Sequence, residues 1–202
     1  MNSFPQIILA SASPRRAELL DQINVKYITQ AVDIDESSRE GESPEALVQR
    51  LAIEKSQAIT SNQSNQSNQS NDLPVLGADT LGVILQGKLQ GELLVKPRDF
   101  AHAEQMLSSM SGNWHEILSA VALSYKGRTL CKLNRNKVLF RQLSAIEIRE
   151  YWETGEPQDK AGAYAVQGLA AAFIERIEGS YSGIMGLPLF ETVDLLNNIK
   201  EK

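Results

Sequence analysis

The chain has 202 residues, of which 42% are hydrophobic and 22% charged, a composition typical of a folded globular protein with one domain or two closely joined lobes. Its formal net charge of −5 argues against a large nucleic-acid-binding surface, because such a surface must neutralise many phosphates at once. Cys131 is the single cysteine, which rules out an internal disulfide and disfavours a thiolate zinc site.

The amino terminus lacks the basic region and long apolar run of a secretory signal. No apolar stretch reaches the roughly 20 residues that are needed to span a bilayer. We therefore expect a cytoplasmic protein that binds neither membrane nor nucleic acid.

The first part of the chain shows a strand followed by two helix starts. Residues 7–10 are apolar and predict a strand, after which Ser13 and Pro14 are suited to the cap and the first position of a helix. Ser43-Pro44 begins a second helical pattern, and Lys55 falls inside its apolar stripe. This order predicts a strand-helix-helix start to the fold.

A polar tract of repeated Ser-Asn-Gln triplets occupies residues 61–71. It contains nothing to bury and no group with useful chemistry, so we interpret it as a disordered insertion on the surface. The apolar residues 73–85 after it predict a buried strand that enters a hairpin and that Asp79-Thr80 interrupts.

The second half mixes helical and strand patterns. In chain order, the predicted elements are a helix from Asp99 to Gly112, an antiparallel pair over 117–125 and 129–140, a helix from Ser144 to Gly155, a strand over 173–177 and a helix from Pro188. Together with the first half, they predict an α/β protein with a mixed β-sheet and flanking helices.

Asp79 is the first candidate functional residue, because it lies in an apolar strand pattern. A buried carboxylate is costly unless it is protonated, paired with a cation or bound to a metal. A charged residue in such a strand often marks a functional site, and a structural ion pair or cap is the alternative.

Asp33, Asp35 and Glu36 form an acidic cluster ahead of the second helix. Such clusters are usually solvated loops, but hard cations such as magnesium bind carboxylate oxygens supplied by separate segments beside a phosphate. Both interpretations stay open.

Arg15 and Arg16 lie in the first turn of the first helix, where their charges oppose the helix dipole. An anion held there by backbone amides, by Ser11 or Ser13 and by the guanidinium groups would explain them. Ion pairs with surface carboxylates are the equally good alternative.

Two lysines are further candidates. Lys55 must either extend its ammonium to solvent, which is the commoner outcome, or face a polar cleft. Lys96 precedes Pro97 and is expected in an extended connector, which alone says little.

The glycine-rich residues 162–168 match neither a Walker nor a dinucleotide-binding pattern. They suit a close approach to a ligand or a packed turn equally well. His102 and His115 lack the spacing of a metal-ligand pair.

Four segments, in this order, resemble the Maf family: residues 9–16 (LASASPRR), 77–80 (GADT), 96–97 (KP) and 159–164 (DKAGAY). The resemblance extends from Ile7 to the last helix, and residues 61–71 depart from it as an insertion. It implies a single Maf-like domain over residues 1–202 with a Maf/ITPase-like fold, in which two lobes surround a central cleft. It also implies a homodimer.

The resemblance implies a nucleoside triphosphate pyrophosphatase that uses a divalent cation, Mg²⁺ or Mn²⁺. The catalytic acid of the family falls on Asp79, and the second acid falls on Glu36, or on Asp35 if the loop shifts by one residue. These two acids are expected to hold the metal, with Lys55 and Lys96 as catalytic lysines. Water would then attack the α-phosphorus and pyrophosphate would leave.

The substrate contacts implied by the resemblance fall on Ser11, Arg15 and Arg16. The branch of the family that acts on dTTP and UTP resembles this sequence at Arg15, Thr80 and Gln167, whereas a branch that acts on 7-methyl-GTP differs there. The expected substrates are therefore pyrimidine triphosphates, including modified forms.

The alternative function is a non-catalytic nucleotide-binding regulator of septum formation, a process with which this family has been linked. The presence of Asp79, Glu36 and the lysines argues against it.

Overall fold

The computed structural model describes residues 4–63 and 73–199, and of residues 60–63 it describes only the backbone. The chain divides into two compact units. The first consists of Met1–Thr80, Ser119–Asn134 and Gly186–Lys202, and the second of Leu81–Leu118 and Arg135–Met185. Each unit is therefore assembled from separate stretches of sequence.

The described residues form one sheet of seven strands. The strands are β1 (Ile7–Leu9), β2 (Tyr27–Thr29), β3 (Val75–Ile84), β4 (Leu93–Leu94), β5 (Trp114–Tyr125), β6 (Arg128–Phe140) and β7 (Ile174–Glu178). Their order is β2-β1-β3-β5-β6-β7, with β4 paired to β3. Strand β1 is parallel to β2 and β3, whereas β3–β4 and β6–β7 are antiparallel pairs. The sheet is mixed, which confirms the predicted α/β class.

The same part of the chain contains six α-helices, of which four connect strands and two follow β7. They are α1 (Pro14–Gln22), α2 (Pro44–Gln63), α3 (Phe100–Met110), α4 (Ala145–Glu153), α5 (Tyr181–Met185) and α6 (Leu189–Asn198). None of the helices in the described ranges is long and apolar enough to cross a membrane.

The five predicted helix starts are confirmed, and their capping bonds differ. The Asp99 carboxylate accepts a hydrogen bond from the His102 amide at 2.8 Å, and Ser144 forms a reciprocal capping box with Glu147. Ser13 occupies the cap position of α1, but its side chain makes no capping bond.

The parallel pairing of β1 with β3 brings the start of α1 close to the centre of β3. Leu9 is in register with Leu76, and the Ala10 amide donates to the Leu76 carbonyl at 2.8 Å. The chain then leaves the sheet toward α1, while β3 continues to Ile84. The residues that follow β1 therefore lie beside β3 just beyond Leu76, in the first unit.

The second unit has a core of aromatic side chains. The rings of His115, Phe140 and Tyr164 meet edge to face, with centroids 4.9 to 5.4 Å apart. His115 is fully buried, and its Nε2 lies 2.8 Å from the Tyr164 hydroxyl. Its Nδ1 has no hydrogen-bond partner among the described residues. The histidine thus belongs to the core.

Several elements were not predicted. Strands β2 and β4 contain three and two residues, which is too short for a periodic pattern, so only pairing with their neighbours defines them. Residues 162–168 form part of a 3-10 turn and the loop after it. The predicted insertion begins with helical residues, because α2 extends to Gln63, and its residues 64–71 lie outside the described ranges.

His115 is expected to make the stability of the protein depend on pH. Burial lowers the pKa of His115 to about 3, whereas an unfolded histidine titrates near ~6.5. Above pH ~6.5 the ring is neutral in both states, and the free energy of unfolding keeps its full value. As the pH falls from there toward 3, only the unfolded chain takes up the proton, so the free energy of unfolding decreases. We expect the free energy of unfolding to fall by about 2 kcal/mol from this source between pH ~7 and pH ~5.

The measurement is urea unfolding at several pH values in the wild type and in His115→Gln. Glutamine keeps a polar partner for the Tyr164 hydroxyl but does not titrate, so the variant should lose this part of the pH dependence. The same dependence in both proteins would contradict the assignment.

Candidate active site

Asp79 lies near the middle of β3 and is only 8% exposed. Its position beside α2 depends on Gly77, two residues earlier on the same face of the strand. A Cβ atom at Gly77 would lie 2.3 Å from the Ala52 carbonyl oxygen and 2.6 Å from the Ser56 amide nitrogen. Only glycine therefore lets the backbone of α2 approach β3 this closely.

Lys55 lies on α2 in the same turn as Ala52 and Ser56, and it binds two carboxylates. Its Nζ lies 2.7 Å from Asp79 Oδ1 and 2.6 Å from Glu36 Oε1. Lys55 is 8% exposed, whereas the Glu36 side chain, in the loop before α2, is 60% exposed. Extension of the ammonium to solvent was the commoner expectation, but the structure shows the other outcome. Lys55 pairs with a buried acid and an exposed one.

The electrostatics of Asp79 reflect a balance between burial and neighbouring cations. Burial raises the pKa of the Asp79 carboxyl above its ordinary value, while the charges of Lys55 and Arg16 act in the opposite direction. Asp79 is thus a more basic carboxylate than one in water, with its charge compensated by an ammonium group.

Arg16 contributes a guanidinium that binds neutral groups. Its Nε donates to the Gly186 carbonyl at 2.8 Å, and its Nη1 donates to Ser11 Oγ at 3.1 Å. Burial lowers the pKa of Arg16, and the negative charge of Asp79 opposes this effect. Two interpretations were open for the arginine pair. Within the described ranges no carboxylate is bonded to Arg16, so surface ion pairing does not describe this residue.

Thr80 follows Asp79 and is fixed by a buried hydroxyl. Thr80 Oγ1 lies 2.9 Å from Ser119 Oγ on β5, and Ser119 is fully buried. A Cβ atom at Gly186 would lie 3.7 Å from both Thr80 Oγ1 and Arg16 Nε, so Gly186 lies between these two side chains. Its φ of +117° favours glycine and sets the direction of the carbonyl that Arg16 binds.

The structure therefore brings six of the predicted residues into one neighbourhood of the first unit, namely Ser11, Arg15, Arg16, Lys55, Asp79 and Thr80, with Glu36 bound to Lys55. Arg15 is half-buried and lies next to Arg16, and its charge lowers the pKa of Arg16 further.

The acids of the cluster before α2 make different contacts. Asp35 Oδ1 accepts hydrogen bonds from the amide and the hydroxyl of Ser37, at 2.9 and 2.6 Å. Glu36, and not Asp35, contacts Lys55. Glu36 is thus the acid of this cluster that lies at Lys55, and its role as the second acid of the site stays a prediction.

Lys96 and Gln167 belong to the second unit, and both are exposed. Lys96 follows Val95, whose carbonyl accepts from the Gly162 amide at 3.0 Å, so the glycine-rich segment fixes the backbone next to this lysine. The roles expected for Lys96 and Gln167 stay predictions.

Ser119 and Gly186 were missed by sequence reasoning. Ser119 interrupts an apolar strand in the same way as Asp79, and a buried polar residue in such a run is the signal that could have identified it. Gly186 stands only as a single glycine before Leu187-Pro188, and its partner Arg16 is 170 residues away. No local pattern could have connected the two.

The arrangement combines a basic carboxylate with an ammonium and a guanidinium on the same side of β3 and β1. Fixed cations of this kind suit an anion with several charged oxygens, and the carboxylate suits the activation of water. No group of three or more His, Cys, Asp or Glu side chains that could hold a metal occurs in the described part of the chain.

Comparisons with known proteins give a consistent result. A family model described as "Maf-like protein" matches residues 6–199. A dTTP/UTP pyrophosphatase of Alkalilimnicola ehrlichii is 50% identical over 196 residues, which cover 97% of this chain and 94% of that protein. The corresponding protein of Methylobacillus flagellatus is 49% identical over 196 residues, with the same coverage of 97% and 94%. That of Neisseria meningitidis is 44% identical over 193 residues, which cover 96% and 93%.

Gly77→Ala is expected to separate α2 from β3 and to disturb the Lys55–Asp79 pair. The new methyl group meets backbone atoms, which cannot rotate away, and overpacking of this kind costs about 1–3 kcal/mol. Urea unfolding measures the loss of stability. Gly87→Ala is the matched control, because among the described residues other than its chain neighbours no atom lies within 4 Å of its new Cβ, and only its positive φ of +83° adds strain. Equal or smaller destabilisation by Gly77→Ala would contradict the close contact.

Proposed function

The chain belongs to the Maf-like protein family, and we propose that it is a nucleoside triphosphate pyrophosphatase that hydrolyses dTTP and UTP to the nucleoside monophosphate and pyrophosphate. Curated relatives that are 43–50% identical over nearly the whole chain carry the name dTTP/UTP pyrophosphatase. The observation that carries the proposal is the buried Asp79 carboxylate, compensated by Lys55 and by the fixed guanidinium of Arg16.

Asp79 is the group proposed to act on water. Water attacks the α-phosphorus, the bond to the bridging oxygen breaks, and pyrophosphate leaves with that oxygen. Asp79 orients the water or accepts its proton, for which a pKa raised by burial is favourable. The proton then passes to solvent or to the leaving group.

The cations of the site are proposed to bind the triphosphate. Arg16 is oriented by Gly186 and Ser11 before any ligand arrives, so its remaining N–H groups are preorganised for phosphate oxygens. Arg15 adds a second positive charge in the same helical turn. Lys96 is proposed to complete the phosphate contacts.

A divalent cation is proposed to bind at Asp79 and Glu36. Asp79 and Glu36 supply carboxylate oxygens that converge on one position, now held by the Lys55 ammonium. Mg²⁺ is commonly bound by one or two carboxylates together with substrate phosphates and waters. Bound there, the metal would neutralise phosphate charge and polarise the α-phosphate.

Base selectivity is proposed to involve Arg15, Thr80 and Gln167, the positions at which the resemblance points to the branch acting on dTTP and UTP. The orientation of Thr80 by Ser119 supports a defined hydroxyl at one of these positions. Modified pyrimidine triphosphates belong to the same proposed class. The homodimer and the cytoplasmic location are further proposals, which light scattering and cell fractionation would test.

Asp79→Asn is expected to lower turnover of dTTP by about two or more orders of magnitude, the usual scale for loss of a catalytic base. The amide keeps the size of the side chain and can still accept a hydrogen bond from Lys55, so folding and most nucleotide binding should persist. Pyrophosphate release should be measured for dTTP, UTP, other triphosphates and modified pyrimidine triphosphates, with magnesium, manganese or no metal.

Release by Asp79→Asn at the wild-type rate would remove Asp79 from the reaction. No release by the wild type with any triphosphate would favour a non-catalytic regulator.

Ser119→Ala is expected to lower kcat/KM for dTTP by about 2- to 10-fold, the scale of one neutral hydrogen bond, because Thr80 loses the partner that orients its hydroxyl. Ser124→Ala is the matched control on the same strand. The Ser124 hydroxyl contacts Ser56 and Thr129 instead, so this variant should keep kcat/KM while losing a similar buried bond. An equal fall in both variants would indicate a general effect on the fold.

A further inference from the structure

The Glu156 carboxylate binds the backbone just after Gln167. Its Oε2 accepts a hydrogen bond from the Leu169 amide at 2.8 Å, and its Oε1 accepts one from the Ala170 amide at 3.3 Å. These two amides open a 3-10 turn, and the residue at the cap position, Gly168, has no side chain that could satisfy them. Glu156 therefore caps a turn that begins 13 residues later in the chain.

Glycine at position 168 makes this contact possible. A Cβ atom at Gly168 would lie 2.3 to 2.4 Å from the carboxyl carbon and both oxygens of Glu156. The carboxylate thus lies directly against the backbone of the residue that follows Gln167. A larger residue at position 168 would displace either the carboxylate or the loop.

Tyr151 holds the carboxylate in this place. Its buried ring, on α4, meets the Phe173 ring edge to face, with centroids 5.0 Å apart. Its hydroxyl donates to Glu156 Oε1 at 2.8 Å. Burial raises the pKa of Tyr151, and the Glu156 carboxylate raises it further, so the hydroxyl keeps its proton at neutral pH and stays a donor. The carboxylate is therefore held between a buried side chain and two backbone amides.

Gln167 is the exposed residue of a loop whose two ends are fixed. Ala165 and Val166, before it, are buried, and the Gly168 amide donates to the Ala165 carbonyl at 3.0 Å and closes a turn. Because Gln167 is exposed, packing fixes its side chain only weakly, and the place of its amide group follows from the backbone. Burial fixes that backbone on one side of Gln167, and Glu156 fixes it on the other.

We propose that Glu156 is a positioning residue for base selectivity, which acts through the loop and determines where the Gln167 amide meets the base. An amide group both donates and accepts hydrogen bonds, as the imide edge shared by thymine and uracil requires. A selective contact must be held to within about 0.5 Å, and a loop fixed at one end only would not hold it so. This inference rests on the proposed function and adds the residue that sets the geometry of one selectivity position.

Glu156→Gln is the first variant of the test. It keeps the size of the side chain but removes its charge, and its NH₂ group replaces an oxygen that accepts from the Leu169 or the Ala170 amide, so that a donor meets a donor. Pyrophosphate release from dTTP and from dGTP gives the ratio of their kcat/KM values. We expect this ratio to fall by about tenfold or more, the scale of hydrogen bonds to a charged group.

Glu153→Gln is the matched control. Glu153 is exposed at the last position of α4, and its substitution removes the same charge while the bonds of Glu156 stay in place. The ratio should therefore remain within about twofold of the wild type, the scale of a surface substitution. Tyr151→Phe removes only the hydroxyl that donates to Glu156 and should lower the ratio by about threefold or more. This milder variant replaces Glu156→Gln throughout the test if Glu156→Gln fails to fold.

A double-mutant cycle separates positioning from a general effect on the fold. Gln167→Ala alone should lower the ratio, because it removes the amide that meets the base. In the presence of Gln167→Ala, adding Glu156→Gln should change the ratio by less than about twofold, since the residue to be positioned is gone. A merely structural role of Glu156 would act to the same extent in both backgrounds.

Four results would overturn the inference: a wild-type ratio in both Glu156→Gln and Tyr151→Phe, an equal fall in Glu153→Gln, a wild-type ratio in Gln167→Ala, or an equal effect of Glu156→Gln with and without the Gln167 amide. Each of these leaves the proposed hydrolysis of dTTP standing if the wild type releases pyrophosphate from it. A wild type that releases no pyrophosphate from any triphosphate would instead refute the proposed function, and this inference with it.

Discussion

The ion pair between Asp79 and Lys55 is the interaction on which the rest of the site depends. A carboxylate on a central strand that is 8% exposed requires a cation, because burial without one would drive it to the neutral form. The ammonium comes from α2, and it reaches 2.7 Å only because Gly77 lets the helix backbone contact β3. The packing of one helix on one strand thus determines the charge state of the carboxylate, and this state governs whether the carboxylate can act on water.

The arginines of the first unit divide by what they bind. Arg50 binds Glu42 through two nitrogens, at 2.6 and 2.8 Å, and Glu54 through a third, at 3.1 Å, so carboxylates of the chain compensate its charge. Among the described residues, Arg16 instead donates hydrogen bonds to a carbonyl and a hydroxyl, which orient its guanidinium, while the negative charge of Asp79 acts on it only through space. Neutral acceptors leave N–H groups of a guanidinium available to an external anion, which is the role proposed for Arg16.

Buried polar groups on the strands were a useful guide to the site, within limits. Asp79 stood out because a charge interrupted an apolar run, and Ser119 interrupts the next strand in the same way. His115 does so too, yet it belongs to an aromatic core and contacts Tyr164. A polar residue in a strand pattern therefore indicates a side chain that needs a partner, and only the identity of that partner separates a site from a core.

The sequence by itself determined the α/β class, the longer strands, five of the six helices in the described residues and the candidate acids and bases, because these follow from local periodicity, capping residues and motifs. It left open whether Lys55 faces solvent or an acid, and whether Glu36 or Asp35 is its partner. It gave no sign of the contact between Gly186 and Arg16, which are 170 residues apart. Only the tertiary structure decided these points, since the pairing of β1 with β3 and the close packing of α2 bring together residues whose relation no local pattern records.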